Sequence, residues 1–161
     1  MNPDADEERD ATASLLFDAA RRSAAYLGGL DHRSVPPSPT AVADLARLEM
    51  PLPEAPMDPA AVLAELDALV APATMATAGP RFFGFVIGGT LPAALAANWL
   101  AAAWDQNAAM ASVTPGVAQV EAIALRWIVE VLGLPATTEG AFVTGATMAN
   151  FTALAAARHA V

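Results

Sequence analysis

Gly140-Ala141-Phe142-Val143-Thr144-Gly145-Ala146-Thr147-Met148-Ala149-Asn150-Phe151-Thr152-Ala153-Leu154-Ala155-Ala156-Ala157-Arg158 is an apolar run, interrupted by a turn of small residues and continued by an alanine-rich segment. The pattern predicts a short buried strand over residues 140–144, a turn at Gly145-Ala146-Thr147, and a helix from Met148 to His159. A helix start of this kind offers backbone N–H groups without intrahelical partners and the positive end of the peptide dipole. Small residues let an anion approach those groups and the Thr147 hydroxyl adds a donor, so Gly145, Ala146 and Thr147 are candidate phosphate ligands. A plainer reading stands beside it, in which Gly145 makes the turn and Thr147 caps the helix. The turn is not a Walker loop, because the eight basic residues are all arginine, and no Gly-x-Gly-x-x-Gly occurs.

Working back from this turn, Thr114-Pro115 opens a helix with Val117, Val120, Ile123, Ala124, Trp127, Ile128 and Val131 on its apolar side, closed by Gly133-Leu134-Pro135. Thr90 and Pro92 start another helix that reaches Trp104 and is broken by Asp105-Gln106-Asn107. Arg81 to Ile87 reads as an aromatic extended segment. Ahead of it the chain alternates helices with proline-rich connectors. A helix over Ala11–Leu27 ends at Gly28-Gly29, a short one over Thr40–Leu48 is capped by Thr40, and a third begins at Asp58-Pro59. Residues 1–75 are therefore expected to be a helical arm with no core of its own, lying across the rest of its chain or a partner subunit.

Composition narrows the classes. The chain has 161 residues, 55% of them hydrophobic, a formal net charge of −9 and no cysteine, and 41 residues are alanine. Intrinsic disorder is excluded by the apolar content, and nucleic-acid binding by the lack of a basic patch. Disulfide scaffolds and cysteine-ligated metal sites are excluded outright, and His32 and His159 are too few for a histidine-rich metal site. Charge is uneven: residues 68–161 hold only Asp105, Glu121, Glu130, Glu139, Arg81, Arg126 and Arg158. So low a density marks a segment embedded in a membrane or buried inside something larger. Phe82–Trp104 is uncharged for 23 residues, but Gly84, Gly88-Gly89, Thr90, Pro92 and Asn98 interrupt it, so no membrane span is expected. The acidic start lacks the basic and apolar regions of a signal peptide, which points to the cytoplasm. The sequence stops inside a helical pattern at Ala160-Val161, so it is expected to be the front part of a longer protein.

The run 140–158 resembles the phosphate-cup segment of group II pyridoxal-phosphate decarboxylases, the aromatic-L-amino-acid and glutamate decarboxylase-like family. That segment is a glycine-rich strand, a Gly-Ser/Ala-Ser/Thr turn and a helix ending Ala-Ala-Arg. Arg81-Phe82-Phe83-Gly84-Phe85, with Gly79-Pro80 ahead of it, is similar to the family's His-Pro-x-Phe-Phe segment. Thr114-Pro115 followed by Val120-Glu121, then Trp127 and Leu132-Gly133-Leu134-Pro135, are similar to its next helix. Order and spacing agree over residues 60–161. Met148 departs from the pattern, standing where many relatives carry glutamate.

The resemblance implies an α/β fold: an N-terminal helical arm over 1–75, then over 76–161 the start of a pyridoxal-phosphate-dependent transferase large domain of the aspartate-aminotransferase type. It implies pyridoxal 5'-phosphate as cofactor, its phosphate held by Gly145, Ala146 and Thr147. It places Phe85 and Val86 at the substrate pocket, where ordinary core is the equal alternative. Asn107 and Ala109 fall where relatives reach across the dimer, although Asp105-Gln106-Asn107 also reads as a plain polar turn. The partners implied are an amino-acid substrate and a second copy bound through the arm. Family chemistry needs a lysine to carry the cofactor, so with none present no catalytic residue is expected within this chain, and the chain alone is expected to be inactive. Transamination or another carbon–carbon lyase reaction would use the same cup. A non-catalytic helical module, stable only on a partner, is the reading of a different class.

Overall fold

The first helix extends further back than the expected Ala11. In this computed structural model, which describes residues 3–108 and 110–160, α1 runs Pro3–Gly29. Acidic side chains near a helix N-terminus complement the dipole, and an Asp6–Arg9 ion pair one turn apart supports the first turns. Ala109 lies outside the described residues. The helix α2, Pro39–Asp44, is capped by Ser38, whose Oγ accepts from the Ala41 N–H at 3.1 Å. Ser38 takes the role expected of Thr40 because Pro39 suits the first helical position. A 3₁₀ turn, Leu45–Leu48, continues α2.

The third helix, α3, runs Pro59–Ala73 from an Asp58 cap that accepts from the Ala60 and Ala61 N–H groups, both at 3.3 Å. It packs on α1 and on α2, and Leu30, Leu69 and Ala76 are buried among these elements. The expectation that this region has no core is corrected: a small one exists, reinforced by ion pairs. Arg22 on α1 donates to Asp18 at 2.7 Å and across to Asp67 on α3 at 2.8 Å. The Arg22 and Arg21 guanidinium groups hold the Asp18 carboxyl below the usual carboxylate range. Asp18 and Asp67 push Arg22 up from its ordinary value.

Contacts divide the chain into two units, Met1–Pro92 and Ala93–Val161. The second holds α4 (Pro92–Trp104), α5 (Pro115–Val131) and α6 (Ala146–Ala160). Among the described residues these helices stay out of packing distance of one another. The end of α5 is closed by backbone hydrogen bonds. Gly133, at φ 65°, donates to the Glu130 carbonyl and Leu134 to the Val129 carbonyl, both at 3.0 Å. This is a Schellman motif, with the apolar pair Val129 and Leu134 closing it. Val129 is consequently the buried residue of α5, while Val120, Trp127, Ile128 and Val131 of the expected buried side are exposed. Phe142 of the returning chain lies beside Trp127, Ile128 and Val131. An apolar groove of about 440 Å³ lies there, lined by Ala124, Trp127, Ile128, Val131, Leu132 and Phe142.

No strand occurs among the described residues, and the described fold is helical. Residues 140–143 return along α5, Gly140 so close that an added Cβ would meet Leu125 at 2.9 Å, but they pair with no second strand. A β-ladder needs a partner for each edge. The other candidate for an extended segment, Arg81–Ile87, is broken by a turn.

Candidate functional site

The helix α6 begins at Ala146, so Gly145 occupies the cap position and Thr147 the second helical position. Its first intrahelical bond runs from the Ala149 N–H to the Gly145 carbonyl at 3.0 Å. The N–H groups of Ala146, Thr147 and Met148 precede that bond, and helix geometry leaves them without intrahelical acceptors. Gly145, Ala146 and Thr147 are all exposed, and a Cβ added at Gly145 would meet nothing within 4 Å. The first turn carries no acidic residue, whereas Arg158 and His159 lie in the last turn. The dipole is thus unopposed at the N-terminus and matched at the C-terminus, which suits an incoming anion. Three consecutive small residues, one with a hydroxyl, at the start of a 15-residue helix fit a phosphate group.

Phe85 and Val86 belong to the other unit and sit at the tip of a tight turn. The Ile87 N–H donates to the Gly84 carbonyl at 3.2 Å, and Phe85 and Val86 adopt φ of 57° and 56°. Two successive positive φ values with this bond define a type I′ turn, normally built from glycine and asparagine. A β-branched valine pays a steric penalty there, and such strain collects at functional positions. Neither side chain is core: both are exposed.

Asn107 lies in the loop between α4 and α5. Asp105, at φ 49°, ends α4 in the left-handed conformation, its N–H bonded to the Ala101 carbonyl at 3.2 Å. The buried Thr114 hydroxyl donates back to the carbonyls of Asn107 and Met110, the latter at 3.2 Å, instead of capping α5. Thr114 therefore fixes the loop that carries Asn107. Its role was not legible beyond the helix start at Thr114-Pro115, since a backward side-chain bond leaves no periodic signal. Among the described residues no group of three or more histidine, aspartate or glutamate side chains is placed to hold a metal ion. Nor is any helix among them long and apolar enough to cross a membrane.

Residues 42–161 match the family model described as the pyridoxal-dependent decarboxylase conserved domain. The chain is 33% identical over 137 residues to an aromatic-L-amino-acid decarboxylase of Bacillus atrophaeus, an alignment covering 81% of this chain. It spans only 28% of the length of that relative. No solved structure matches the chain.

Proposed function

The chain belongs to the pyridoxal-dependent decarboxylase family, and from that premise we propose that it is the N-terminal part of a pyridoxal-phosphate-dependent amino-acid carboxy-lyase. The observation that carries this reading is the open, acid-free first turn of α6, which lies inside the matched region. There Gly145, Ala146 and Thr147 would hold the cofactor phosphate, through the unpaired N–H groups of Ala146 and Thr147 and the Thr147 hydroxyl, with Gly145 leaving room for its approach. When bound, pyridoxal phosphate supplies an electron sink for the pair left behind as a carboxylate departs as carbon dioxide. The contribution of this chain is binding and shape. The exposed Phe85–Val86 turn forms part of the substrate pocket, and Asn107 adds to a pocket completed across a dimer.

In the same reading residues 1–75 are a dimerisation arm and residues 76–161 open a large α/β domain of the aspartate-aminotransferase type in a cytoplasmic homodimer. The apolar surface left open on α4, α5 and α6 is the part that domain covers. Aromatic L-amino acids are the first substrates to offer, on the strength of the relative's name and of the aromatic turn.

The test is release of carbon dioxide from an aromatic L-amino acid by the protein translated from the complete reading frame, supplied with pyridoxal phosphate. Thr147→Ala should weaken cofactor binding about fivefold, the worth of one hydrogen bond, and Thr147→Glu should abolish it. Conversion of the amino acid without carbon dioxide release would replace decarboxylation by transamination. The 161-residue chain, without lysine, should release none by itself.

A further inference from the structure

Arg81 is the one basic residue between Arg47 and Arg126, and its guanidinium is spent on backbone. Its Nη2 donates to the Asp31 carbonyl at 3.1 Å and also to the Arg33 carbonyl. Those carbonyls belong to the connector that follows α1, and that connector is itself clamped. Arg33 donates to the carbonyls of Ala71 at 3.2 Å, Pro72 at 3.3 Å and Thr74 at 2.6 Å, so it satisfies the C-terminus of α3. The Arg33 guanidinium also lies 5.2 Å from the ring centroid of Tyr26 on α1. The Tyr26 hydroxyl is 2.8 Å from Thr74 Oγ1, which in turn donates to the Ala71 carbonyl at 2.7 Å. The connector and the segment after α3 are joined once more where the Ala76 N–H donates to the Val35 carbonyl at 2.9 Å.

Beyond Arg81 the ties are to backbone, the Phe82 N–H donating to the Gly79 carbonyl at 3.3 Å and Gly89 returning close to Ala78. Phe82 lies under the turn, its ring 3.4 Å from where a Gly84 Cβ would be, but Phe83 is 91% and Phe85 82% exposed. A turn with so little packing takes its direction from its base. We propose that Arg81 is a positioning residue, which ties the base of the Phe85–Val86 turn to the clamped Asp31–Arg33 connector and so sets how the turn is presented to substrate. This inference rests on the reading of Phe85 and Val86 as pocket residues. Arginine suits the task because its long side chain brings one nitrogen with two N–H groups to both carbonyls; a lysine ammonium has the donors but a shorter reach, and a methionine donates nothing.

The experiment has two readouts. In the 161-residue chain, amide hydrogen exchange at Phe82 and Ile87 should quicken about fivefold in Arg81→Met, and α3 should be unchanged. Arg81→Lys should fall between Arg81→Met and the parent. In the complete enzyme, Arg81→Met should raise KM about fivefold with kcat held within about twofold, and Arg81→Lys should recover part of the loss. Unchanged exchange at Ile87 overturns the proposal. So does an unchanged KM in Arg81→Met when Phe85→Ala raises KM. If Phe85→Ala leaves KM unchanged, the pocket reading fails and takes the substrate role of Arg81 with it. Faster exchange would then show the anchor alone.

Discussion

Val86 and Gly133 hold the same region of backbone space for opposite reasons. Gly133, at φ 65°, closes α5 where glycine alone escapes a Cβ penalty, and its position after an apolar helix made that role readable in advance. Gly133→Ala should destabilise the end of α5 by about 1 kcal/mol, measured by urea unfolding followed through circular dichroism. Val86 has a similar φ of 56° with a branched side chain, which no local preference would choose. Val86→Gly should therefore stabilise the first unit by about 1 kcal/mol in the same measurement. If Val86 lines the proposed substrate pocket, the same variant should also raise KM in the complete protein, because the side chain presented at the tip is lost. The aromatic character of this segment was evident from sequence. Its turn was not, since Phe-Val carries none of the chemistry of a type I′ turn.

Among the elements, α1 and α3 are joined by the Arg22–Asp67 ion pair as well as by apolar contact. Asp18, held below the usual carboxylate range by Arg22 and Arg21, favours the folded state at every pH above its ordinary value. That contribution disappears as pH falls through its depressed value. The part of the thermal midpoint that depends on Asp18 should thus stay level from pH 7 to about pH 5 and be lost only in strong acid, below the ordinary aspartate pKa of about 3.9. Asp18→Asn should lower the midpoint at pH 7 and flatten the acid limb. Arg22 is raised, so its contribution persists below its pKa and is lost only in strong alkali. Helix starts at Asp58-Pro59 and Thr114-Pro115 were legible because caps and first-turn prolines act within a few residues. The partners of Arg22, Arg33 and Arg81 were not, because bonds such as Arg22 to Asp67 and Arg81 to Asp31 join positions far apart in sequence.

The whole chain leaves large apolar side chains in water, Trp99 at 42%, Trp104 at 55% and Trp127 at 66% exposure among them. Water-exposed indoles emit at long wavelength, so tryptophan fluorescence of the chain should be red-shifted and hydrophobic dye binding strong. Both should revert in the complete protein if the proposed large domain covers this surface. A blue-shifted emission from the chain alone would mean that its helices close on one another without help.

Sequence by itself determined which segments are helices, the Asp58 cap, the Gly133 stop, the small-residue start of α6 and the family, all of which follow from local residue chemistry and ordered motifs. It also announced, through the scarcity of charge after residue 67, that this surface wants covering. Only the tertiary structure decided that residues 140–144 form no strand here, because a ladder depends on a second segment and not on the propensity of the first. It alone turned Phe85 and Val86 outward on a strained turn, buried Val129 in place of the expected face of α5, and spent Arg33 and Arg81 on distant carbonyls. Each of those outcomes depends on which groups meet across space, and no local pattern encodes that meeting.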